Sequence, residues 1–230
     1  MTQLRAALFD AGNTLIWLDH PFIVETLREH GVETTAEQLM EAEYASKLLM
    51  DELARAGKTD ERTRAQVYFA EMFRRVGAAE SAFPALAQRM FARHAERNLW
   101  ANVRERTADT LQALRERGYR LGVISNADGR VEALLEAVGL RPYFDLVIDS
   151  GVVGIDKPDP RIFHLAAERM GIEPAEAVYV GDIYEIDVEG ARAAGMRAVL
   201  IDPLWKRADL DCDRIRAIHD LLDVLPERAA

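Results

Sequence analysis

The sequence has little of what marks secreted, membrane-spanning or nucleic-acid-binding proteins. Its 230 residues include one cysteine, Cys212, which excludes an internal disulfide, and the acidic run around it offers no base to activate the thiol. Apolar runs such as Leu121–Ile124 are far shorter than the roughly 18 residues that a membrane helix requires. The formal net charge of −10 argues against nucleic acid or an anionic membrane as a partner. No basic leader or cleavage site precedes the first apolar run, so we expect a cytoplasmic chain.

Short apolar runs that end in turn-forming polar residues recur along the chain. In the second half, helical patterns followed by a glycine, such as the one that ends before Gly118, separate these runs. The alternation predicts an α/β fold, a Rossmann-like three-layer α/β/α core with a mostly parallel five-stranded sheet. The five predicted strands are residues 4–9, 119–124, 145–148, 177–180 and 198–201.

Residues 16–97 interrupt this alternation, because they contain several helical windows and no convincing strand. One apolar stripe runs from Leu39 to Leu53, through Ala42 and Leu49, and another begins at Val67. Six aromatic residues in or next to this region could line a pocket, although helical spacing is more typical of core residues; they are Trp17, Tyr44, Tyr68, Phe69, Phe73 and Trp100. The predicted domains are therefore a core of residues 1–15 and 98–230 and a helical insertion of residues 16–97.

Side chains able to do chemistry stand at the ends of the predicted strands. Asp10, Ser125 and Asp182 each follow one, and Lys157 and Asp187 lie on the connecting segments. Because ligands bind at the carboxyl ends of parallel strands, we expect these five residues to converge on one pocket. Carboxylates, a lysine and a hydroxyl suit a hard divalent cation together with a phosphate. Each also has a structural alternative, since Ser125 can cap a helix, Lys157 can be a solvated loop residue and the aspartates can complement a helix dipole.

Four segments form an ordered set of motifs along the chain. They are Phe9–Leu15, Val123–Asn126, Lys157–Pro160 and Val180–Val188. The set resembles the motifs of the haloacid dehalogenase superfamily of hydrolases, in the branch whose helical cap is inserted after the first motif. The resemblance implies that residues 16–97 are the cap. It also implies a phosphatase that acts on a small phosphorylated metabolite with Mg²⁺ as cofactor.

The same resemblance implies catalytic and phosphate-binding roles. Asp10 is then the nucleophile that forms an aspartyl-phosphate, which divides hydrolysis into two steps. Lys157 neutralises the charge that Asp10 and the phosphate share. Ser125 and the backbone N–H of Asn126 hold the phosphoryl group.

The metal site that the resemblance implies consists of Asp10, the backbone carbonyl of Gly12 and Asp182, with Asp187 steering Lys157 or a metal-bound water. Most phosphatases of this superfamily have a second aspartate two residues after the nucleophile, where it serves as general acid and base. This chain has Gly12 there. General acid–base help is typically worth about 10²- to 10⁴-fold in rate, so the substitution bears directly on function.

Three interpretations of this departure follow. The first is a phosphatase whose substrates have good leaving groups, or that borrows an acid from Asp19, His20 or elsewhere in the cap. The second is a binding or regulatory protein that keeps the fold and the metal site with little turnover. The third is dehalogenation or phosphonate cleavage. Dehalogenases lack the Gly181-Asp182 pair, and a phosphonatase needs a cap lysine, for which Lys47 and Lys58 are the candidates.

Overall fold

The structure is a computed structural model that describes residues 3–57, 61–225 and 227. The chain divides into two compact units, Met1–Trp17 with Asn102–Ala230, and Leu18–Ala101. The second unit overlaps the helical insertion predicted at 16–97. None of the helices in the described part of the chain is long and apolar enough to cross a membrane.

A six-stranded sheet forms the centre of the first unit, with strand order β5-β4-β1-β6-β7-β8. All of its strand pairs are parallel, which confirms the predicted α/β class and mostly parallel sheet. β2 and β3 form a separate two-stranded sheet. The strands are β1 (Ala6–Phe9), β2 (Ile16–Leu18), β3 (Trp100–Val103), β4 (Arg120–Ser125), β5 (Leu146–Asp149), β6 (Ala177–Gly181), β7 (Arg197–Ile201) and β8 (Asp213–Ile215).

The predicted count of five strands is wrong, and so is the expectation that residues 16–97 contain no strand, because β2 begins at Ile16. The sixth strand, β8, consists of Asp213, Arg214 and Ile215 at the edge of the sheet. Only its last residue is buried, so it has no apolar run to reveal it. β2 has three residues, which is too few for an alternating pattern to appear.

Ten α-helices are present in the described residues. Gly118 and Gly171 follow α5 and α8 with φ angles of +85° and +60°, the left-handed conformation predicted for helix-ending glycines. The helical pattern that ends before Gly118 predicts a helix from Val103 through Leu114, but Val103 lies in β3 and the helix begins at Thr107. The helices are α1 (His20–Glu29), α2 (Ala36–Arg55), α3 (Glu61–Arg75), α4 (Phe83–Arg97), α5 (Thr107–Glu116), α6 (Val131–Ala137), α7 (Ser150–Val153), α8 (Pro160–Met170), α9 (Glu189–Ala193) and α10 (Leu221–Val224).

The core of the first unit explains why its strands are nearly continuous apolar runs. All four residues of β1 are fully buried, because helices cover both faces of a parallel sheet. Ala6 and Leu8 belong to one apolar cluster with residues of α8 and α9. Ala7 and Phe9 alternate with them and face the other side. The central strands are therefore rigid supports for the polar residues that follow them.

The second unit contains α1 to α4. The buried face of α2 includes only part of the apolar stripe that the sequence predicts. Leu39 and Ala42 are buried as expected, whereas Leu49 and Leu53 are half-buried. Four of the six aromatic residues pack together, with Phe69 5.5 to 6.1 Å from the rings of Tyr68, Phe73 and Trp100. The buried face of α2 also carries three ionisable side chains one turn apart, those of Glu43, Lys47 and Asp51.

Candidate active site

The strand order places three of the predicted site residues side by side. Asp10 follows β1, Ser125 ends β4 and Asp182 follows β6. β1 pairs with β4 on one side and with β6 on the other. β4 and β5 thus lie on one side of β1, and β6, β7 and β8 lie on the other, so the strand order reverses at β1. This reversal point is where α/β proteins bind ligands.

The Lys157 side chain joins this site from the segment before α8. Its ammonium group donates to Asp10 Oδ1 at 2.7 Å, to the Tyr179 hydroxyl at 2.8 Å and to Asp187 Oδ1 at 2.7 Å. Lys157 is only 2% exposed, so the alternative of a solvated loop lysine is wrong. A buried ammonium whose three protons all have acceptors is held in one position.

Asp187 binds two further groups with its other oxygen. Oδ2 accepts the backbone N–H of Asp182 at 3.0 Å and that of Ile183 at 2.9 Å. This geometry depends on Gly181, because a Cβ on that residue would lie 2.4 Å from Cγ of Asp187. The segment Tyr184–Val188 forms a single turn of π-helix, which brings the Asp187 carboxylate close to the backbone of Asp182 and Ile183.

Charges at the site strongly affect two acid–base groups. The pKa of Asp10 is raised to about 7: burial raises it most, Lys157 opposes that rise, and the Asp187 and Asp182 carboxylates add to it. Burial by itself lowers the pKa of Lys157, but Asp10 and Asp187 outweigh it and leave that pKa above its usual value. The lysine thus stays charged at neutral pH, while Asp10 needs additional positive charge to remain fully ionised.

The carboxylates are arranged so that they could hold a cation. Asp10, Asp182 and Asp187 each offer an oxygen, and these atoms lie within 4.8 Å of one another. Both Asp187 oxygens already accept hydrogen bonds, which leaves Asp10 and Asp182 as the better ligands. Hard oxygen donors and an uncompensated negative charge fit Mg²⁺. Gly12 is half-buried in the loop that follows Asp10.

Asn126 has a contact that sequence reasoning missed. Its side-chain N–H donates to the Lys157 carbonyl at 2.9 Å, and its side-chain oxygen accepts the Lys157 backbone N–H at 2.8 Å. The amide thereby fixes the backbone of the lysine. Ser125, next to it, is 4% exposed at the end of β4. The alternative that Ser125 caps a helix is wrong, because Arg130 is the N-cap of α6.

Asp149 is a second residue whose importance the sequence did not reveal. Its Oδ1 accepts the backbone N–H groups of Gly129 at 3.0 Å and Gly151 at 2.9 Å. Oδ2 accepts the N–H of Val131 at 3.1 Å. This buried carboxylate anchors the loop that follows Ser125. A strand-ending aspartate was the only available signal, and it is common in turns.

The residues proposed as substitute acids have partners within the second unit. Asp19 caps α1 by accepting the Phe22 N–H at 3.3 Å and pairs with Arg93 at 2.7 Å. His20 Nε2 lies 2.7 Å from Glu43 Oε2. Lys47 is buried on α2, and Lys58 lies outside the described residues.

Comparisons with known proteins agree on one family. The model of the haloacid dehalogenase-like hydrolases matches residues 4–195. Haloacid dehalogenase-like hydrolase domain-containing protein 3 of Bos taurus is 37% identical over 86% of this chain and 82% of its own length. Glyceraldehyde 3-phosphate phosphatase of Methanopyrus kandleri is 32% identical over 99% of both chains. The structure of a HAD phosphatase from Thermococcus onnurineus, 28% identical, covers 98% of this chain and 99% of its own with a TM-score of 0.62.

Proposed function

Because the chain belongs to the haloacid dehalogenase-like hydrolase family, we propose that this hydrolase is a magnesium-dependent phosphatase of small phosphorylated metabolites. One observation carries the proposal: the buried Asp10 carboxylate lies 2.7 Å from the Lys157 ammonium, at the carboxyl end of the inner strand β1. The phosphatase relatives, one of them similar along 99% of this chain, favour phosphate esters as substrates. We assign residues 18–101 as the cap of the family and the other unit as the catalytic core.

In the first step, an Asp10 oxygen attacks the phosphorus atom of the ester. A bond forms between Asp10 and phosphorus while the bond to the ester oxygen breaks, and its electron pair leaves with the alcohol oxygen. Ser125 and the backbone N–H of Asn126 bind the phosphoryl oxygens. Lys157 keeps its position throughout, because Asn126 fixes its backbone and three acceptors fix its ammonium group.

In the second step, water attacks the phosphorus atom of the aspartyl-phosphate. The bond to Asp10 breaks, the water proton passes to solvent and phosphate is released. The Asp10 carboxylate that returns is again paired with Lys157, which lowers the cost of restoring a buried charge. The same lysine therefore stabilises the charge before and after the covalent stage.

Three groups would hold magnesium: Asp10, the Gly12 carbonyl and Asp182. The ion supplies positive charge that the phosphoryl oxygens and Asp10 require. Asp187 holds the loop that carries Asp182 through its bond to the Asp182 N–H at 3.0 Å. Asp187 is therefore assigned to support rather than to direct metal binding.

The leaving alcohol takes its proton from solvent, because position 12 is a glycine and not an aspartate. Asp19 and His20 are each paired inside the second unit, with Arg93 and Glu43, and are not assigned as replacements. We therefore infer that esters with good leaving groups are the faster substrates. Glyceraldehyde 3-phosphate, which the name of the Methanopyrus relative gives as its substrate, is the first physiological ester to compare with them.

The test is hydrolysis of p-nitrophenyl phosphate by wild type, Asp10→Asn and the control Asp213→Asn, each with magnesium or with a chelator. Asp213 is exposed on β8 and pairs with Arg197, so its variant should keep wild-type turnover. We expect turnover to disappear in Asp10→Asn and in the chelator. Turnover that survives either change contradicts the proposed nucleophile or metal, and no wild-type turnover on any phosphate ester contradicts the function itself.

A further inference from the structure

Among the described residues, Tyr179 supplies the one hydrogen-bond acceptor of the Lys157 ammonium that is not a carboxylate. It lies in β6, three residues before Asp182, and its side chain is fully buried. Its hydroxyl is 2.8 Å from Lys157 Nζ and 2.9 Å from the carbonyl oxygen of Ile124. Ile124 precedes Ser125 in β4, so the phenol joins two strands and the lysine between them.

The hydrogen-bonding capacity of the groups fixes the direction of each bond. A phenol has one proton, and the Ile124 carbonyl at 2.9 Å is a nearer acceptor for it than Asp187 Oδ1 at 3.4 Å. The oxygen of Tyr179 is therefore left as an acceptor for the lysine, whose ammonium can only donate. The remaining two ammonium protons go to Asp10 and Asp187, each at 2.7 Å.

This arrangement has a consequence for the shared charge. Asp10 and Asp187 attract the ammonium from separate positions, and its place between them is set by the third, uncharged acceptor. Without that acceptor, one buried N–H has no partner and the ammonium is free to move toward either carboxylate. A shift away from Asp10 weakens the charge stabilisation that phosphoryl transfer requires.

We propose that Tyr179 is a positioning residue for this reaction: its hydroxyl oxygen holds the Lys157 ammonium at the place from which it stabilises Asp10. The inference rests on the proposed phosphatase function for its kinetic consequence, while the position of the ammonium itself does not depend on that function. Tyr179 acts through Lys157 and does not touch the substrate.

The kinetic test compares Tyr179→Phe with Phe163→Leu. Phe163 packs edge-on against the Tyr179 ring at 5.0 Å, so its variant disturbs the packing and leaves the hydroxyl in place. We expect Tyr179→Phe to lower kcat for p-nitrophenyl phosphate by about 10- to 100-fold, as a misplaced group does, with KM changed less than about twofold. Phe163→Leu should lose thermal stability and keep kcat within about threefold of wild type. Equal losses of kcat in both variants, or none in Tyr179→Phe, overturn the inference.

A second measurement reads the ammonium directly and needs no turnover. The sequence has four lysines, Lys47, Lys58, Lys157 and Lys206, so nitrogen-15 spectra of lysine-labelled protein are simple to assign. We expect a slowly exchanging Lys157 signal in wild type and Phe163→Leu that shifts or exchanges faster in Tyr179→Phe. An unchanged signal in Tyr179→Phe overturns the inference even if the enzyme is active. If wild type lacks turnover that depends on Asp10, the proposed function fails and this spectrum still decides the role of Tyr179.

Discussion

Asp187 holds Asp182 in place through a bond from the Asp182 backbone N–H to Asp187 Oδ2 at 3.0 Å. The other oxygen of the same carboxylate pairs with Lys157 at 2.7 Å. One side chain thus fixes both a candidate metal ligand and the lysine that pairs with the candidate nucleophile. Its importance lies in this double attachment.

Asp187→Asn should lower both kcat and the free energy of unfolding, although it keeps the shape of the side chain. An amide has one acceptor oxygen, so its NH₂ group must face either the ammonium or the backbone N–H groups of Asp182 and Ile183. We expect a kcat loss of at least about 10²-fold, and a loss of about 3 kcal/mol in unfolding free energy as for other broken buried ion pairs. Steady-state kinetics and urea unfolding measure both, and Asp213→Asn is the matched control. Unfolding free energy within 1 kcal/mol of wild type would count against this account.

Lys157→Met should destabilise the protein and make magnesium more important to its stability. The variant leaves Asp10 and Asp187 buried without their cation, which typically costs about 3 to 5 kcal/mol. Magnesium binding to the folded state should recover part of that loss, because it restores positive charge beside Asp10. The measurement is urea unfolding with and without magnesium. A smaller stabilisation by magnesium in Lys157→Met than in wild type contradicts the prediction.

Gly181→Ala should disrupt the site by a single methyl group. The added Cβ would lie 2.4 Å from Cγ of Asp187, so that carboxylate must move away from the Asp182 and Ile183 N–H groups. We expect kcat to fall by at least about tenfold. The control is Gly139→Ala, which adds a strained left-handed residue in open space and should cost about 1 kcal/mol in stability with unchanged kcat. Comparable kcat values for the two variants would disprove the steric explanation.

Gly12→Asp should help substrates that need a protonated leaving group. A carboxyl group two residues after Asp10 can donate a proton to the departing alcohol, an effect typically worth about 10²-fold or more. We expect a larger kcat gain on glyceraldehyde 3-phosphate than on p-nitrophenyl phosphate, whose leaving group needs no acid. The ratio of kcat values for the two substrates is the decisive measurement. An unchanged ratio means that proton donation at position 12 does not limit the reaction.

Glu43→Gln should alter the acid stability of the helical unit. Burial by itself raises the pKa of Glu43, but hydrogen bonds from His20 and Tyr68 and the charge of Lys47 outweigh it and lower that pKa. A lowered pKa in the folded state means that the ionised Glu43 stabilises the protein at neutral pH, and that this stability is lost as the pH falls through the folded-state pKa. We expect wild type to exceed Glu43→Gln in melting temperature at pH 7 and the difference to shrink below about pH 4, near the reference pKa. A difference that stays constant with pH would contradict the prediction.

The local sequence pattern was sufficient to predict most strands and helix ends of the first unit. β1 and β6 are buried on every residue, so their apolar runs stand out from their surroundings. Glycines after α5 and α8 mark helix ends because only glycine adopts the left-handed conformation at little cost. The sequence did not predict β8, because only one of its three residues is buried and an edge strand of this kind shows no apolar pattern. The charged face of α2 escaped it because periodicity detects apolar residues and not buried ion pairs.

The sequence by itself determined which residues lie at the carboxyl ends of the strands. Strand endings are local events, and the parallel order that follows from alternating strands and helices brings Asp10, Ser125 and Asp182 together. Tertiary structure alone decided which groups hold them there. Asn126 reaches Lys157 across 31 residues and Tyr179 reaches it across 22, and such contacts depend on distances of a few tenths of an ångström in a packed interior. Local propensity carries no information about those distances, which is why the nucleophile could be predicted and its supporting residues could not.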